Sequence, residues 1–317
     1  MKKKILALIL SFVCVVGITT DIYASNLSTN ENNAYLKDLE YENLLKEEAK
    51  KNPETTSASS FQEDELDIAY ENMIIRENYI VDLISRLSEN ETSFDNWEFN
   101  LNYLINNYEH LDQLDDVNMD YVDIYIETYE NLRFTKNLPE EKKAESKVGL
   151  LSTYSREDAV DYAYLYCYNY NPNYPDWNSY GGDCANFVSQ ALHAGGKSMK
   201  GSDSANTGTA WEKNWFSSGT SNSTTKVSPS WRGANAFKTY WQKNATAYKK
   251  FTSYTSDTYD YGYRGDAVSF LNSNGAAYHT LIIVSYNDGL VCAQHTGSND
   301  ARKLKNYDGD FIIYNMY

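Results

Sequence analysis

The sequence predicts a mixed fold in which helices come first and antiparallel strands follow. Two patterns carry that expectation. Apolar residues recur at alternating spacings of three and four through several stretches, and near the carboxyl end two runs rich in branched apolar residues flank the turn Asn287-Asp288-Gly289. A change of texture divides the 317-residue chain: from Ser25 to Leu150 there are 29 acidic and 11 basic residues, whereas from Leu151 to Tyr317 each sign counts 14. No basic stripe appears in either half, which argues against nucleic acid or anionic lipid as a partner.

The elements follow in order. Lys2-Lys3-Lys4, the apolar run Ile5 to Val16, and Ile22-Tyr23-Ala24 before Ser25 read as a secretory signal peptide over residues 1–24. That run falls short of the ~20 residues of an ordinary membrane span, and no later stretch is longer, so the expectation is a secreted, extracellular chain with no transmembrane anchor. Cys14 lacks lipoprotein-type surroundings, being preceded by Ser11-Phe12-Val13. Residues 25–60 read as a polar arm or linker, ending in the small residues Thr55 to Ser60.

Residues 61–137 read as an acidic, mostly helical region. Leu66, Ala69, Met73, Arg76, Ile80, Leu83 and Leu87 mark one amphipathic helix, and Trp97, Leu101, Leu104, Tyr108 and Leu111 repeat the pattern. Val122, Ile124 and Ile126 alternate with Asp123, Tyr125 and Glu127, which suggests a strand, with a third helix as the competing reading. Core packing is the ordinary role of all three stretches. Residues 138–152 form a charged connector containing Pro139 and Gly149, and the domain boundary is placed there.

Residues 153–317 carry the chemistry. Ser155-Arg156-Glu157-Asp158 has capping-box form, and Ala159, Val160, Ala163, Tyr166, Cys167 and Tyr170 follow at helical spacing, which puts Cys167 on an apolar face. A second helix is expected to begin at Cys184 after Gly181-Gly182-Asp183, with Asp183 as its N-cap and Gly195-Gly196 as its stop. Cys184, Phe187, Val188, Ala191 and Leu192 share one stripe. A thiol at a helix start meets free amides and the positive end of the dipole, which favours the reactive thiolate.

A thiolate nucleophile needs a base able to protonate a leaving amine, a task for histidine. Of the four histidines, His110 lies in the acidic region and His193 is about half a turn around the helix from Cys184. His279 heads the strand-like run His279-Thr280-Leu281-Ile282-Ile283-Val284-Ser285. After the turn, Leu290 to Thr296 returns antiparallel and brings Gln294 and His295 back near His279. Neighbouring strand residues point to opposite faces, so one of the two orients the imidazole: His295 is favoured, Gln294 follows, and Asn299 is a third candidate. Cys167, Cys184 and Cys292 are an odd set for an exported protein, so at least one thiol stays free or pairs between chains. The Cys and His residues are too scattered for a structural zinc site, no phosphate-cradling loop is present, and no cofactor is expected.

Asp183-Cys184-Ala185-Asn186-Phe187-Val188-Ser189-Gln190-Ala191-Leu192, with Ala194-Gly195-Gly196 after it, resembles the nucleophile motif of the putative amidase domain family, in the papain-like group that includes NlpC-type and CHAP cell-wall hydrolases. Tyr263-Arg264-Gly265-Asp266-Ala267-Val268-Ser269-Phe270 resembles the Gly-Asp turn and strand that precede the histidine strand in those relatives, and His279 to Val284 resembles the histidine strand itself. The resemblance covers Tyr154 to Tyr317. It implies an α+β, papain-like catalytic domain with the cysteine helix packed on a small antiparallel sheet, Cys184 as nucleophile and His279 as base. It also implies an oxyanion site at the Cys184 amide with one further donor, for which Asn178 is a candidate beside a role in shaping its loop.

Arg264-Gly265-Asp266 also spells an integrin-binding tripeptide, but the apolar run after it reads as a strand start. Trp211, Trp215, Trp231 and Trp241 could line a substrate cleft, with Trp211 and Trp231 the candidates kept for substrate, although Trp231, Ala234, Phe237 and Trp241 also fall at helical spacing. The expected function is a secreted cysteine amidase or peptidase acting on cell-wall peptide or amide bonds in peptidoglycan. Two rivals are a cysteine hydrolase of a soluble or host protein and a noncatalytic surface-binding module of the same fold.

Overall fold

In this computed structural model, residues 29–51, 64–143, 154–178, 182–201, 213–220, 226–295 and 302–317 are described. Ten helices lie among them: α1 Thr29–Lys51, α2 Asp64–Ser88, α3 Trp97–Asn106, α4 Tyr108–Leu111, α5 Met119–Thr135, α6 Arg156–Tyr166, α7 Cys184–Ala194, α8 Pro229–Arg232, α9 Ala234–Asn244 and α10 Ser256–Tyr261. Seven strands, β1 Glu141–Lys142, β2 Ala247–Phe251, β3 Ala267–Leu271, β4 Ala277–Tyr286, β5 Leu290–Ala293, β6 Arg302–Lys303 and β7 Asp310–Asn315, form one sheet in the order β1-β2-β7-β3-β4-β5-β6. Every neighbouring pair is antiparallel, so the fold is α+β. Residues 1–28, expected as a signal peptide and the start of the arm, lie outside the described set, and α1 occupies much of the arm itself.

The sheet is buried on both faces, as its near-continuous apolar strands require. On one face Ala267, Ile282, Val284, Ala293, Ile312 and Tyr314 join Val160, Phe187, Val188 and Phe237 of α6, α7 and α9 in one apolar cluster. On the other, Val268, Phe270, Leu281, Ile283, Cys292, Phe311 and Ile313 pack with Leu304 and Tyr307. The alternation Leu281, Ile282, Ile283, Val284 between the two clusters is the period-two pleat read out in contacts.

Glu42–Ala144 and Ser152–Tyr317 form one compact unit, with Met1–Tyr41 and Glu145–Leu151 as the other. Within the larger unit α2, α3 and α5 have their own core, including Ile80, Leu83, Ile84, Leu101, Leu104, Val122, Tyr125, Tyr129 and Leu132. Residues 122–126, for which the alternation suggests a strand, are helical. Val122, Tyr125, Tyr129 and Leu132 are all buried at helical spacing, and two of those four are tyrosines that an apolar/polar count passes over.

Polar bonds fix this helical layer to the sheet domain. Thr239 Oγ1 donates to Asn131 Oδ1 at 2.6 Å, Asn272 Nδ2 to Glu77 Oε1 at 2.9 Å, and Asn235 Nδ2 to the Thr128 carbonyl at 3.3 Å. On another side Arg264 Nη2 and Nε reach Glu42 Oε1 at 2.8 and 3.1 Å, and Lys46 Nζ donates to the carbonyl oxygens of Tyr259 and Asp260. The Arg-Gly-Asp tripeptide is used internally. Asp266 is fully buried, accepts from Arg156 Nη1 at 2.6 Å, and directly precedes β3. Cys167, Cys184 and Cys292 are all buried, and among the described residues Cys184 and Cys292 are free thiols. No helix among the described residues is long and apolar enough to cross a membrane.

Candidate active site

The site is built on the α6–α7 pair. Ser155 caps α6 by accepting from Asp158 N at 3.1 Å, and its own N–H donates to the Gly195 carbonyl at 2.7 Å, which ties the start of α6 to the end of α7. No side chain fits at Gly195, because a Cβ there would stand 2.6 Å from Tyr154 Cε2 and 2.8 Å from the Ser155 carbonyl. Gly182 takes a φ of 121°, a conformation that glycine adopts without strain, and two residues later α7 begins at Cys184. Every residue from Cys184 to Leu192 is buried.

Asp183 occupies the N-cap position but does not cap α7. Its carboxylate turns inward: Oδ1 accepts from the Trp177 N–H at 3.0 Å and from Asn186 Nδ2 at 2.8 Å, while Oδ2 lies 2.8 Å from His295 Nδ1. Asp183 therefore organises the base of the site, where the sequence suggested a simple helix cap.

Cys184 lies against the free edge of β4. The Ile283 N–H donates to Asp266 on the β3 side, so by alternation the Thr280 N–H points to the opposite edge. There β5 has already ended, its Ala293 pairing with Ile282. The Thr280 main chain there favours the Cys184 thiolate. Burial nonetheless outweighs it and pushes the thiol up to about 11, with the Asp183 charge adding to the rise. The sequence-based expectation of a resting thiolate is therefore corrected: desolvation outweighs the amides of the helix start.

His279 precedes Thr280 and pairs with Phe270 across β3. Its ring is 1% exposed, and burial draws it down to about 4, so the imidazole is neutral near physiological pH. His279 Nε2 lies 2.6 Å from Gln294 Oε1. An oxygen acceptor there requires the proton on Nε2, which leaves Nδ1 as the basic nitrogen, and Nδ1 is buried without a hydrogen-bond partner. Cys184 and His279 line the same cavity of about 140 Å³ without a hydrogen bond between them.

His295 is not the partner of His279. Cys292 lies on the sheet face that holds Leu281 and Ile283, and Gln294 shares its parity, whereas His295 follows Ala293 to the helix-covered face. There His295 stacks on Phe187, with ring centroids 4.2 Å apart. Its Nε2 lies 2.6 Å from the Tyr166 carbonyl and its Nδ1 faces Asp183, so both ring nitrogens meet acceptors.

The substrate candidates fare differently. Trp231 is a core residue: it is fully buried, its Nε1 donates to Asn186 Oδ1 at 2.9 Å, and its ring packs 4.7 Å from that of Trp215. It is no cleft wall. Trp211 lies outside the described residues. Asn178 donates from its side chain to Tyr170 and is exposed, an arrangement that shapes its loop. Sequence reasoning missed the other wall of the cavity, which the helical layer supplies through Asn72, Met73, Arg76 and Glu77 of α2 and Ile124, Tyr125, Glu127 and Thr128 of α5. Arg232, at the end of α8, also lines it, its guanidinium 5.0 Å from the centre of the Trp177 ring. No motif marks these residues.

Comparisons agree on where the resemblance lies. The family model described as a putative amidase domain matches residues 153–315, which holds Cys184, His279 and Gln294. The chain is 27% identical over 150 residues to YhbB, an uncharacterized protein of Bacillus subtilis strain 168; the alignment covers 47% of this chain and 43% of that protein. The chain thus spans less than half the length of that relative. No solved structure matches it. With an α+β fold and the motif cysteine and histidine at one cavity, the chain belongs to the putative amidase domain family, whose description points to hydrolysis of amide bonds.

Proposed function

We propose that this protein is a secreted cysteine amidase or peptidase that hydrolyses amide bonds of cell-wall peptidoglycan through a thioester at Cys184. The observation that carries the reading is the His279–Gln294 bond of 2.6 Å, which leaves a buried, unpartnered Nδ1 in the cavity that Cys184 also lines. Both reacting groups rest neutral, the thiol held up to about 11 and the imidazole down to about 4. Proton transfer therefore accompanies bond formation.

As the sulfur attacks the amide carbon, His279 Nδ1 takes the thiol proton, and Gln294 accepts from Nε2–H throughout. The carbonyl oxygen becomes an oxyanion next to the Cys184 main-chain N–H. The imidazolium then gives its proton to the leaving amine, and the C–N bond breaks to leave a thioester. Water, deprotonated by the same histidine, hydrolyses the thioester and restores the thiol. Peptidoglycan as substrate rests on the family resemblance and on the signal-like start of the sequence.

The test is incubation of wild type and Cys184→Ala with purified peptidoglycan, followed by assay of new free amino groups. Release by wild type alone is expected. No release by wild type would remove peptidoglycan as the substrate.

A further inference from the structure

Two opposite charges face the cavity without being bonded to one another. Glu127, on α5, is held above the usual carboxylate range by burial; the Arg232 charge opposes the rise, and no hydrogen bond enters that balance. Arg232 Nε is buried with no hydrogen-bond partner among the described residues, although its guanidinium lies over the Trp177 ring. A buried, unpartnered guanidinium nitrogen is costly, and neighbours of opposite sign normally close into a bidentate pair. Here no ion pair within 4.0 Å forms, and both side chains line the space that holds Cys184 and His279. Glu127 lies close to the residue after Arg232, since a Cβ at Gly233 would stand 3.4 Å from Glu127 Oε1. Glu77, the other carboxyl of this wall, is occupied by Asn272.

We propose that Glu127 and Arg232 are specificity-determining residues that hold the ammonium and carboxylate of one amino-acid group beside the scissile amide. The substrate class that follows is an amide made through an amino acid's side chain, because only then do both α groups stay free. A cavity of about 140 Å³ suits such a group, being well below the ~300 Å³ at which pockets for drug-sized ligands begin. The carboxylate meets a planar donor fork and the ammonium meets an acceptor, so each charge is discriminated by a different residue. This inference rests on the cysteine-amidase reading for the position of the scissile bond, but its recognition half is measurable without turnover.

The test uses the full chain carrying Cys184→Ala and titration calorimetry. Probes are Nε-acetyllysine and γ-glutamylanilide in both enantiomers, each compared with its Nα-acetyl and α-carboxamide analogues. At least one zwitterionic probe is expected to bind about tenfold or more tighter than either analogue. Adding Glu127→Gln should erase the difference against the Nα-acetyl compound only, and adding Arg232→Gln the difference against the carboxamide only. Equal binding within each set, no binding of any probe at millimolar concentration, or equal weakening of all three by both substitutions overturns the proposal. Wild type is assayed on the same compounds in parallel. Selective binding without cleavage would refute the hydrolase reading and leave the subsite standing, whereas cleavage of each set without preference would do the reverse.

Discussion

His279 and His295 are both buried, yet strand parity gives them different work. His279 bonds Gln294 and keeps one nitrogen open, while His295 spends both nitrogens on Asp183 and Tyr166. Gln294→Ala is therefore expected to lower kcat by at least about tenfold with KM nearly unchanged, because the tautomer is no longer enforced while binding contacts stay. Steady-state kinetics on a cleaved amide checks this split. His279→Ala should cost about 10²- to 10⁴-fold in the same assay. That Cys184 and His279 meet at one cavity was legible because a glycine-rich turn before an apolar stripe and a histidine heading a β-branched run are local signals. The choice between Gln294 and His295 was not legible, because it turns on the face that each presents beyond Ala293, and pleat parity there depends on a register the sequence does not print.

At the scale of elements, α7 is set by its two ends. The turn before it needs Gly182 at positive φ, and the turn after it needs Gly195 bare against Tyr154 and the Ser155 carbonyl. Gly195→Ala is expected to destabilise the fold by about 1–3 kcal/mol through this overpacking, read as a lowered midpoint in chemical denaturation. The start of β3 depends on a buried pair: Arg156 and Asp266 are 1% and 0% exposed. Asp266→Ala, which leaves the guanidinium uncompensated, should cost about 3–5 kcal/mol by the same measurement. Helix α6 follows from its Ser155 cap and stripe and α7 from its glycine turn and stripe, both starting where those signals put them. Helix α5 did not follow from the alternation of Val122, Ile124 and Ile126, because its buried face is half tyrosine.

For the whole molecule, the acidic helical layer and the sheet domain build one cavity, and burial sets the protonation of the groups inside it. His279 is ordinarily half-protonated near pH 6.5 but is drawn down to about 4 in the fold. Below pH 6.5 the unfolded chain binds a proton that the folded chain refuses, so stability is full above that value and falls as pH drops towards 4. The loss approaches ~3 kcal/mol at most, and denaturation midpoints of wild type and His279→Gln, compared between pH 7 and 4, should converge by that amount. The layer itself was legible as helices, but its place in the cavity wall was not, since Asn131, Thr239, Asn235 and Asn272 join the two parts by hydrogen bonds that leave no periodic trace.

The central claim is that Cys184 is activated by His279. Iodoacetamide alkylation of Cys184, followed by intact-protein mass between pH 5 and 10 in wild type and His279→Ala, tests it without knowledge of the substrate. Because His279 is neutral above about pH 4 and takes the thiol proton as the sulfur attacks, the account predicts alkylation of wild type well below the thiol's own value of about 11, slowed at least about tenfold by His279→Ala. A rate that climbs only towards pH 10 and is the same in both proteins would contradict it.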